Sequence, residues 1–320
     1  MTSATPPHDT TLDALLSGRL LLEQRRDGYR FTSDALLLAA FARPFLAGGA
    51  SVLDVGAGVG VVGLTLRCVD PSLRLTLLER QPALAELCRR NAARLDARET
   101  PDGQRQPGDD KAAIHDQGTR FATAATPDDK RQPDDDKAAI HDQGTRFATA
   151  ATPDEPLTTE PVRVVEADVR RAGIADRFDA VVMNPPYFEV GRGRLSPGDE
   201  RAAARHELAG SIDELITACA RRLVDRGVLI VCYPAERLPA LAAALLGCGL
   251  RRWCLRPVAP TADQPANLLL VAARRAPAHH ADWQPTLVLR NAHRAWTDAA
   301  RAVFDRCELD ATHQTLQGDS

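Results

Sequence analysis

The sequence predicts an α/β fold: a doubly wound, mostly parallel, seven-stranded sheet with an antiparallel hairpin at one edge. Three observations predict it. Short continuous apolar runs alternate with stretches of helical period. The first run leads directly into a Gly-rich segment, Asp54-Val55-Gly56-Ala57-Gly58-Val59-Gly60. A later run, Ala180-Val181-Val182-Met183, ends in Asn184-Pro185-Pro186-Tyr187. In an open parallel sheet, ligands gather just past the carboxyl ends of the strands, which is where both clusters fall.

Residues 51–55 read as the first buried strand, followed by the glycine turn and a helix from about residue 61. Residues 74–78 form a second strand ending at Glu79. Residues 82–95 have helical period, with Leu84, Leu87, Cys88 and Leu95 on one face and Pro82 suited to the first turn. Residues 162–166 and 178–183 are the third and fourth strands, the third leading to Asp168. A helix follows over 211–223, with Ser211 as N-cap and Asp213 and Glu214 in its first turn. Residues 227–233 are a fifth strand and 235–246 a helix stopped by Gly247. Residues 251–257 and 268–273 have no strong helix between them and form the edge hairpin.

One segment stands apart. Residues 105–130 and 131–156 are nearly identical copies, rich in Asp, Gln, Thr and Pro, and they hold every lysine of the chain, Lys111, Lys130 and Lys137. Two copies are too few for a solenoid, and so polar a composition cannot offset its ordering entropy, so the segment is expected to be disordered. The organisation expected is one domain over 1–98 and 161–300, an acidic insert over 99–160, and a tail over 301–320. The insert carries 14 acidic and 7 basic side chains. Removing them from the chain's 43 and 40 leaves 29 acidic and 33 basic, a mildly basic, Arg-rich body that suits a nucleic-acid substrate without requiring one. No apolar run is long enough to span a bilayer, and no secretory signal stands at the start. The seven cysteines form no Cys-x-x-Cys pair and read as buried reduced thiols, so a cytoplasmic protein without a metal site is expected.

The four polar clusters past strands one to four are expected to share one crevice. Gly56, Gly58 and Gly60 let the backbone turn tightly and approach a ligand. Alone they also fit a dinucleotide site, though the Gly-x-Gly-x-Gly spacing after Asp54 differs from the dinucleotide fingerprint. An acid at position 54 can receive an ammonium, directly or through water, and is a poor neighbour for a pyrophosphate. Glu79 can accept both hydroxyls of a ribose, a role common to NAD and S-adenosylmethionine. Asp168 suits the exocyclic amine of an adenine, or else caps a helix after strand three.

The Asn-Pro-Pro-Tyr turn points to an amine nitrogen as the reacting atom. An amine conjugated to a ring or carbonyl is a poor nucleophile. Asn184 Oδ1 and the Pro185 carbonyl can each accept one of its N–H bonds, aim the lone pair at a sulfonium methyl and stabilise the charge that develops. Pro185 and Pro186 stiffen the turn and bring no competing N–H. Tyr187 can stack on a planar substrate, and Phe188 can extend that wall. The competing structural reading is a Pro-rich strand-end turn with a packed tyrosine.

These residues resemble the amino-methyltransferases of the class I S-adenosylmethionine fold. The nearer resemblance is to the bacterial tRNA1(Val) adenine-37 N6-methyltransferase family. It rests on Asp27-Gly28-Tyr29-Arg30-Phe31 with the run from Asp34 to Phe41, on Asn184 to Phe188, on Ala204-Arg205-His206-Glu207 and on Leu255-Arg256-Pro257-Val258. It covers roughly residues 14–98 and 161–300. The resemblance implies S-adenosylmethionine as cofactor, with Phe31 and Asp34 bordering its methionine end and Asn184 beside it. It implies Arg205 and His206 at the substrate entrance, and a single-stranded tRNA adenine as substrate of a monomer without metal or membrane. Two departures stand out: the insert, and the stretch from Asn291 to Trp296, where a Gly is expected before the aromatic.

If the substrate is an anticodon loop, the adenine must be splayed out to reach the turn. Arg25, Arg26 and Arg30 are candidate phosphate contacts, as are Arg192, Arg194, Arg201 and Arg205 after the turn. The alternatives are another amine, in an rRNA or DNA base or a release-factor glutamine, and a non-catalytic RNA-binding protein on the same fold. The glutamine enzymes usually carry an added N-terminal helical domain, whereas only about 50 residues precede the first strand here. An NAD oxidoreductase is disfavoured by the Asn-Pro-Pro-Tyr turn.

Overall fold

The computed structural model describes residues 10–26, 30–99, 160–171, 176–185 and 212–308. A hairpin of β1 (Thr10–Leu15) and β2 (Leu20–Arg25) precedes α1 (Ser33–Ala42). Then come β3 (Ser51–Val55), α2 (Val61–Val69), β4 (Arg74–Glu79) and α3 (Pro82–Glu99). They are followed by β5 (Arg163–Glu166), β6 (Phe178–Met183), α4 (Ile212–Ala220), β7 (Leu223–Pro234) and α5 (Leu238–Gly247). The last elements are β8 (Leu250–Thr261), β9 (Leu268–Arg275), β10 (His280–Trp283), β11 (Leu287–Arg290) and α6 (Asp298–Arg306).

The main sheet runs β5-β4-β3-β6-β7-β9-β8, with β10 and β11 both on the outer side of β8. Neighbours from β5 to β7 pair in parallel, and β9 runs antiparallel to both β7 and β8. The two faces take alternate residues of each strand, as the pleat demands. Val52, Leu77, Ala180, Val182 and Ile230 join one apolar cluster with residues of α1, α2, α3 and α6. Leu53, Val55, Val181, Met183 and Val231 join the other with residues of α4 and α5. Helix α1 is apolar nearly all round because it is buried between α2, α6 and β7.

The sheet differs from the expectation in several ways. The seven strands anticipated form its path, but the described residues give it nine, because β10 and β11 pair in parallel with β8. The hairpin of β8 and β9 is therefore not the edge. Strand β7 begins at Leu223, where the sequence predicts the end of a helix. Leu223 is buried opposite Phe178, and α4 stops at Ala220. Helix α6 crosses the boundary drawn at residue 300, and Val303 and Cys307 are packed into the core.

The repeat copies and most of the expected insert, residues 100–159, lie outside the described residues, but their two flanks are pinned. Asp96 on α3 accepts the Val162 amide at 3.1 Å. The buried Arg67 of α2 donates to the Leu73 carbonyl at 2.8 Å and the Glu160 carbonyl at 3.1 Å. The seven cysteines are free thiols, five of them buried. Among the described residues no helix is long and apolar enough to cross a membrane.

Candidate active site

Register places the site. Val55 of β3 lies opposite Leu78 of β4 and Met183 of β6. The residues that follow, Gly56, Glu79 and Asn184, therefore leave three adjacent parallel strands at one level, about 4.8 Å apart per strand. Asp168 leaves β5 on the far side of β4, where Glu79 pairs with Glu166. The strand-end residues Gly56, Glu79, Asp168 and Asn184 thus lie along one edge of the sheet.

The glycine turn is held from below. The amides of Gly56 and Ala57 both donate to the Leu78 carbonyl, at 2.8 and 3.0 Å. Gly56, Gly58 and Gly60 all have positive φ, at 70°, 59° and 91°. The first two differ from the third in what surrounds them. A Cβ on Gly56 or Gly58 would meet nothing within 4 Å, whereas one on Gly60 would lie 2.8 Å from Leu64 Cδ1 and 3.2 Å from Cys88 Sγ. Gly56 and Gly58 thus present bare backbone to open space, and Gly60 seats the turn on α2 and α3.

Two acids underpin the turn. Glu79 is 4 % exposed; its Oε2 accepts the Gly58 amide at 2.9 Å and its Oε1 the Gln81 amide at 2.8 Å. Each carboxylate oxygen has a further lone pair, so both can still receive a hydroxyl. Asp54 is 1 % exposed, and its Oδ2 accepts the Gly63 amide in the first turn of α2 at 2.9 Å. Burial pushes its carboxyl up to about 7, with the Gly63 bond opposing and the charge of Glu79 adding to the rise.

Asp168 is engaged by its own turn. Its Oδ1 accepts the Arg170 amide at 3.0 Å and Nε at 2.9 Å, while Oδ2 takes Nη2 at 2.5 Å. The Arg170 guanidinium holds its carboxyl down at about 2. Arg170 also reaches Glu214 of α4 at 3.6 Å. Asp168 therefore closes a turn and forms an ion pair with Arg170.

Asn184 is half-buried and Pro185 buried. Pro186, Tyr187, Phe188, Arg192, Arg194, Arg201, Arg205 and His206 lie outside the described residues. Phe31 packs partly buried against the core at the entry to α1, its amide donating to Gln24 Oε1 at 3.3 Å. Burial raises the Asp34 carboxyl, against hydrogen bonds from Thr32 and Ser33. Of the N-terminal arginines offered as phosphate contacts, Arg30 is committed elsewhere, donating to Asp13 at 2.6 Å and Thr11 at 2.9 Å.

Two positioning residues escaped the sequence reading. Asn91 of α3 is fully buried; its Oδ1 accepts the Glu23 amide at 2.7 Å, and its Nδ2 donates to the carbonyls of Glu23 and Val59, both at 2.9 Å. One side chain thus ties the N-terminal hairpin to the glycine turn. The signal was present: Asn91 falls at helical spacing on the stripe of Leu84, Leu87, Cys88 and Leu95, where a polar residue needs partners. Gln24, 2 % exposed, bonds Asp13 and the Phe31 amide and so fixes the approach to α1.

No family model matches the chain. A tRNA1(Val) (adenine(37)-N6)-methyltransferase from Shewanella amazonensis is 26 % identical over 284 residues, 86 % of this chain and 90 % of that protein. The protein of the same name from Tolumonas auensis is 33 % identical over 155 residues, 47 % of this chain, which spans 61 % of its length. Among solved structures, a predicted O-methyltransferase from Agrobacterium tumefaciens superposes with a TM-score of 0.53 at 18 % identity, covering 86 % of this chain and 97 % of that one, and shares the fold. The Rossmann-like sheet with bare glycine backbone at its carboxyl edge is a class I methyltransferase fold, and the chain is a homologue of the tRNA1(Val) (adenine(37)-N6)-methyltransferases.

Proposed function

We propose that the chain transfers a methyl group from S-adenosylmethionine to N6 of an adenine in tRNA, at position 37 of tRNA1(Val), as the names of its relatives state for them. The observation that carries the reading is register: Asn184 leaves β6 level with Gly56 and Glu79 on the adjoining strands. An amine acceptor thus stands beside a cofactor cradle. The residues present fit the cofactor, since a Cβ at Gly56 or Gly58 would fill the space its backbone faces, and Glu79 keeps acceptors for a ribose. When bound, the cofactor supplies an electrophilic sulfonium methyl.

The chain's residues do the rest. Asn184 Oδ1 and the Pro185 carbonyl accept the two N–H bonds of the target amine. They turn its lone pair outward and stabilise the charge that grows on nitrogen. No strong base is required beforehand, because the proton leaves a cationic nitrogen readily. Asp54, buried beneath the turn, balances an ammonium above it through its second oxygen or a water. Asp168 meets the adenine amine from its Arg170-bound turn, and Phe31 and Asp34 border the methionine end. Tyr187 and Phe188 stack on the flipped base, and Arg192, Arg194, Arg205 and His206 guide the RNA to it. The reading entails a cytoplasmic protein that acts as a monomer and needs no metal.

Nucleoside mass spectrometry on tRNA from a strain lacking the gene tests this. The expected result is loss of N6-methyladenosine from tRNA1(Val) and its return with the wild-type gene but not with Asn184→Ala. Unchanged tRNA, with loss of a methylated glutamine in release factor, would overturn it.

A further inference from the structure

We propose that the basic loop over residues 290–296, between β11 and α6, docks the phosphodiester backbone of the substrate RNA, with Arg294 and Arg290 as its phosphate contacts; this rests on the tRNA reading above. Strand β11 is parallel to β8, β8 and β7 are each antiparallel to β9, and β7 is parallel to β6. Strand β11 therefore points the same way as β6, and its carboxyl end lies on the Asn184 side of the sheet. Four strand steps separate them, about 20 Å across. Met183 is level with Val231, Val271 and Leu255 in turn, while Arg290 pairs with Thr261 further along β8. The loop thus projects past the carboxyl edge of the sheet on the β8 side. About six stacked nucleotides at about 3.4 Å each span the four strand steps. A base inserted at Asn184 leaves its flanking backbone within reach of the loop.

The loop is pre-organised. Asn291 Oδ1 accepts the amides of His293 and Ala295, each at 3.0 Å. Arg290 lies 3.8 Å over the Trp296 ring and donates to the Arg294 carbonyl at 2.8 Å, and Trp296 meets Phe304 edge-on at 4.7 Å. Among the described residues no carboxylate pairs with Arg290, His293 or Arg294; Asp298, next along the chain, is 4.0 Å from Arg301 instead. His293 and Arg294 are exposed.

Arg294 also occupies a backbone position that favours glycine, with φ of 62°. An L-residue there costs about 1 kcal/mol. A cation held at that cost, on an ordered loop facing the substrate side, is accounted for by a ligand of opposite charge. The positive balance of the chain outside the repeat segment agrees.

The test uses the full-length protein, an unmodified tRNA1(Val) transcript and Arg294→Gly, which removes the charge and relieves the backbone. Expected are an equal or higher Tm and an unchanged cofactor Kd. Expected with them are a Kd and KM for tRNA raised about 3- to 10-fold with kcat preserved, and a salt slope of log K reduced by about 0.7 to 0.9. Arg294→Lys should keep most of the binding. If the wild type methylates the transcript and Arg294→Gly binds it with the same Kd and slope, the docking role is wrong and the methyltransferase reading stands. If the wild type neither binds nor methylates the transcript, or methylates a peptide instead, the tRNA reading fails and the docking role falls with it.

Discussion

Asn184 and Asp54 show how differently a polar residue is used at a strand end and just beneath it. Asn184 is half-buried one residue past β6, and the proposed function gives it the substrate amine to accept from. Asn184→Ala should lower kcat about 10²- to 10³-fold, the usual loss of a charge-stabilising group, while cofactor Kd changes less than about 3-fold; parallel titration calorimetry and single-turnover rates measure both. Asp54 faces inward, and its carboxyl is raised to about 7 from about 3.9 in an unfolded chain. Between these values the folded state holds a proton that the unfolded state has released, so stability falls as pH rises from about 4 to about 7. Asp54→Asn keeps an acceptor for the Gly63 amide and removes that loss. Its Tm should exceed the wild type's by more at pH 8 than at pH 5, and an equal offset at both would mean Asp54 is ionised throughout. These acids and amides were legible in the sequence as residue types after strands. The partners of Asp54 and Asp168 were not, because Gly63 and Arg170 become neighbours only when the turns close.

At the scale of elements, the glycine turn and Asn91 carry the argument. Gly58→Ala places a methyl in open space and Gly60→Ala drives one into Leu64. The first should weaken cofactor binding at least 10-fold with a stability loss of about 1 kcal/mol, the second should lower stability by more; denaturant melts beside binding curves separate them. Asn91→Ala leaves two carbonyls and an amide without their partner, so stability should drop by about 3 kcal/mol and cofactor Kd should rise as the hairpin loosens from the turn. A drop in stability with unaltered Kd would deny Asn91 a role at the site. The parallel strands were readable because burial on both faces makes continuous apolar runs such as Val52 to Val55 and Ala180 to Met183. Strands β10 and β11 were not, since four residues such as His-Ala-Asp-Trp carry too short and polar a pattern. The hairpin of β1 and β2 is illegible for a related reason: Leu20, Leu22 and Gln24 alternate in burial, but Leu21 between them is apolar and Gln24 is polar, so the residue types do not alternate.

Across the whole molecule, the insert and the body have opposite charge. Asp96 to Val162 and Arg67 to Glu160 hold the two flanks together without the residues between them. Deleting residues 101–155 should therefore leave Tm equal or slightly higher, since closing a shorter loop costs less entropy. It should also preserve methyl transfer, and a fall in either would give the insert a structural part. The broad fold needed only strand order, but the reading of an amine as methyl acceptor depends on the single alignment of Asn184 with Gly56 and Glu79. The most direct measurement is mass spectrometry of nucleosides after purified protein, methyl-labelled S-adenosylmethionine and tRNA from a strain lacking the gene are incubated together. The account predicts label in N6-methyladenosine at position 37 of tRNA1(Val), absent with Asn184→Ala. Label in another nucleoside, in a peptide, or in nothing would contradict it.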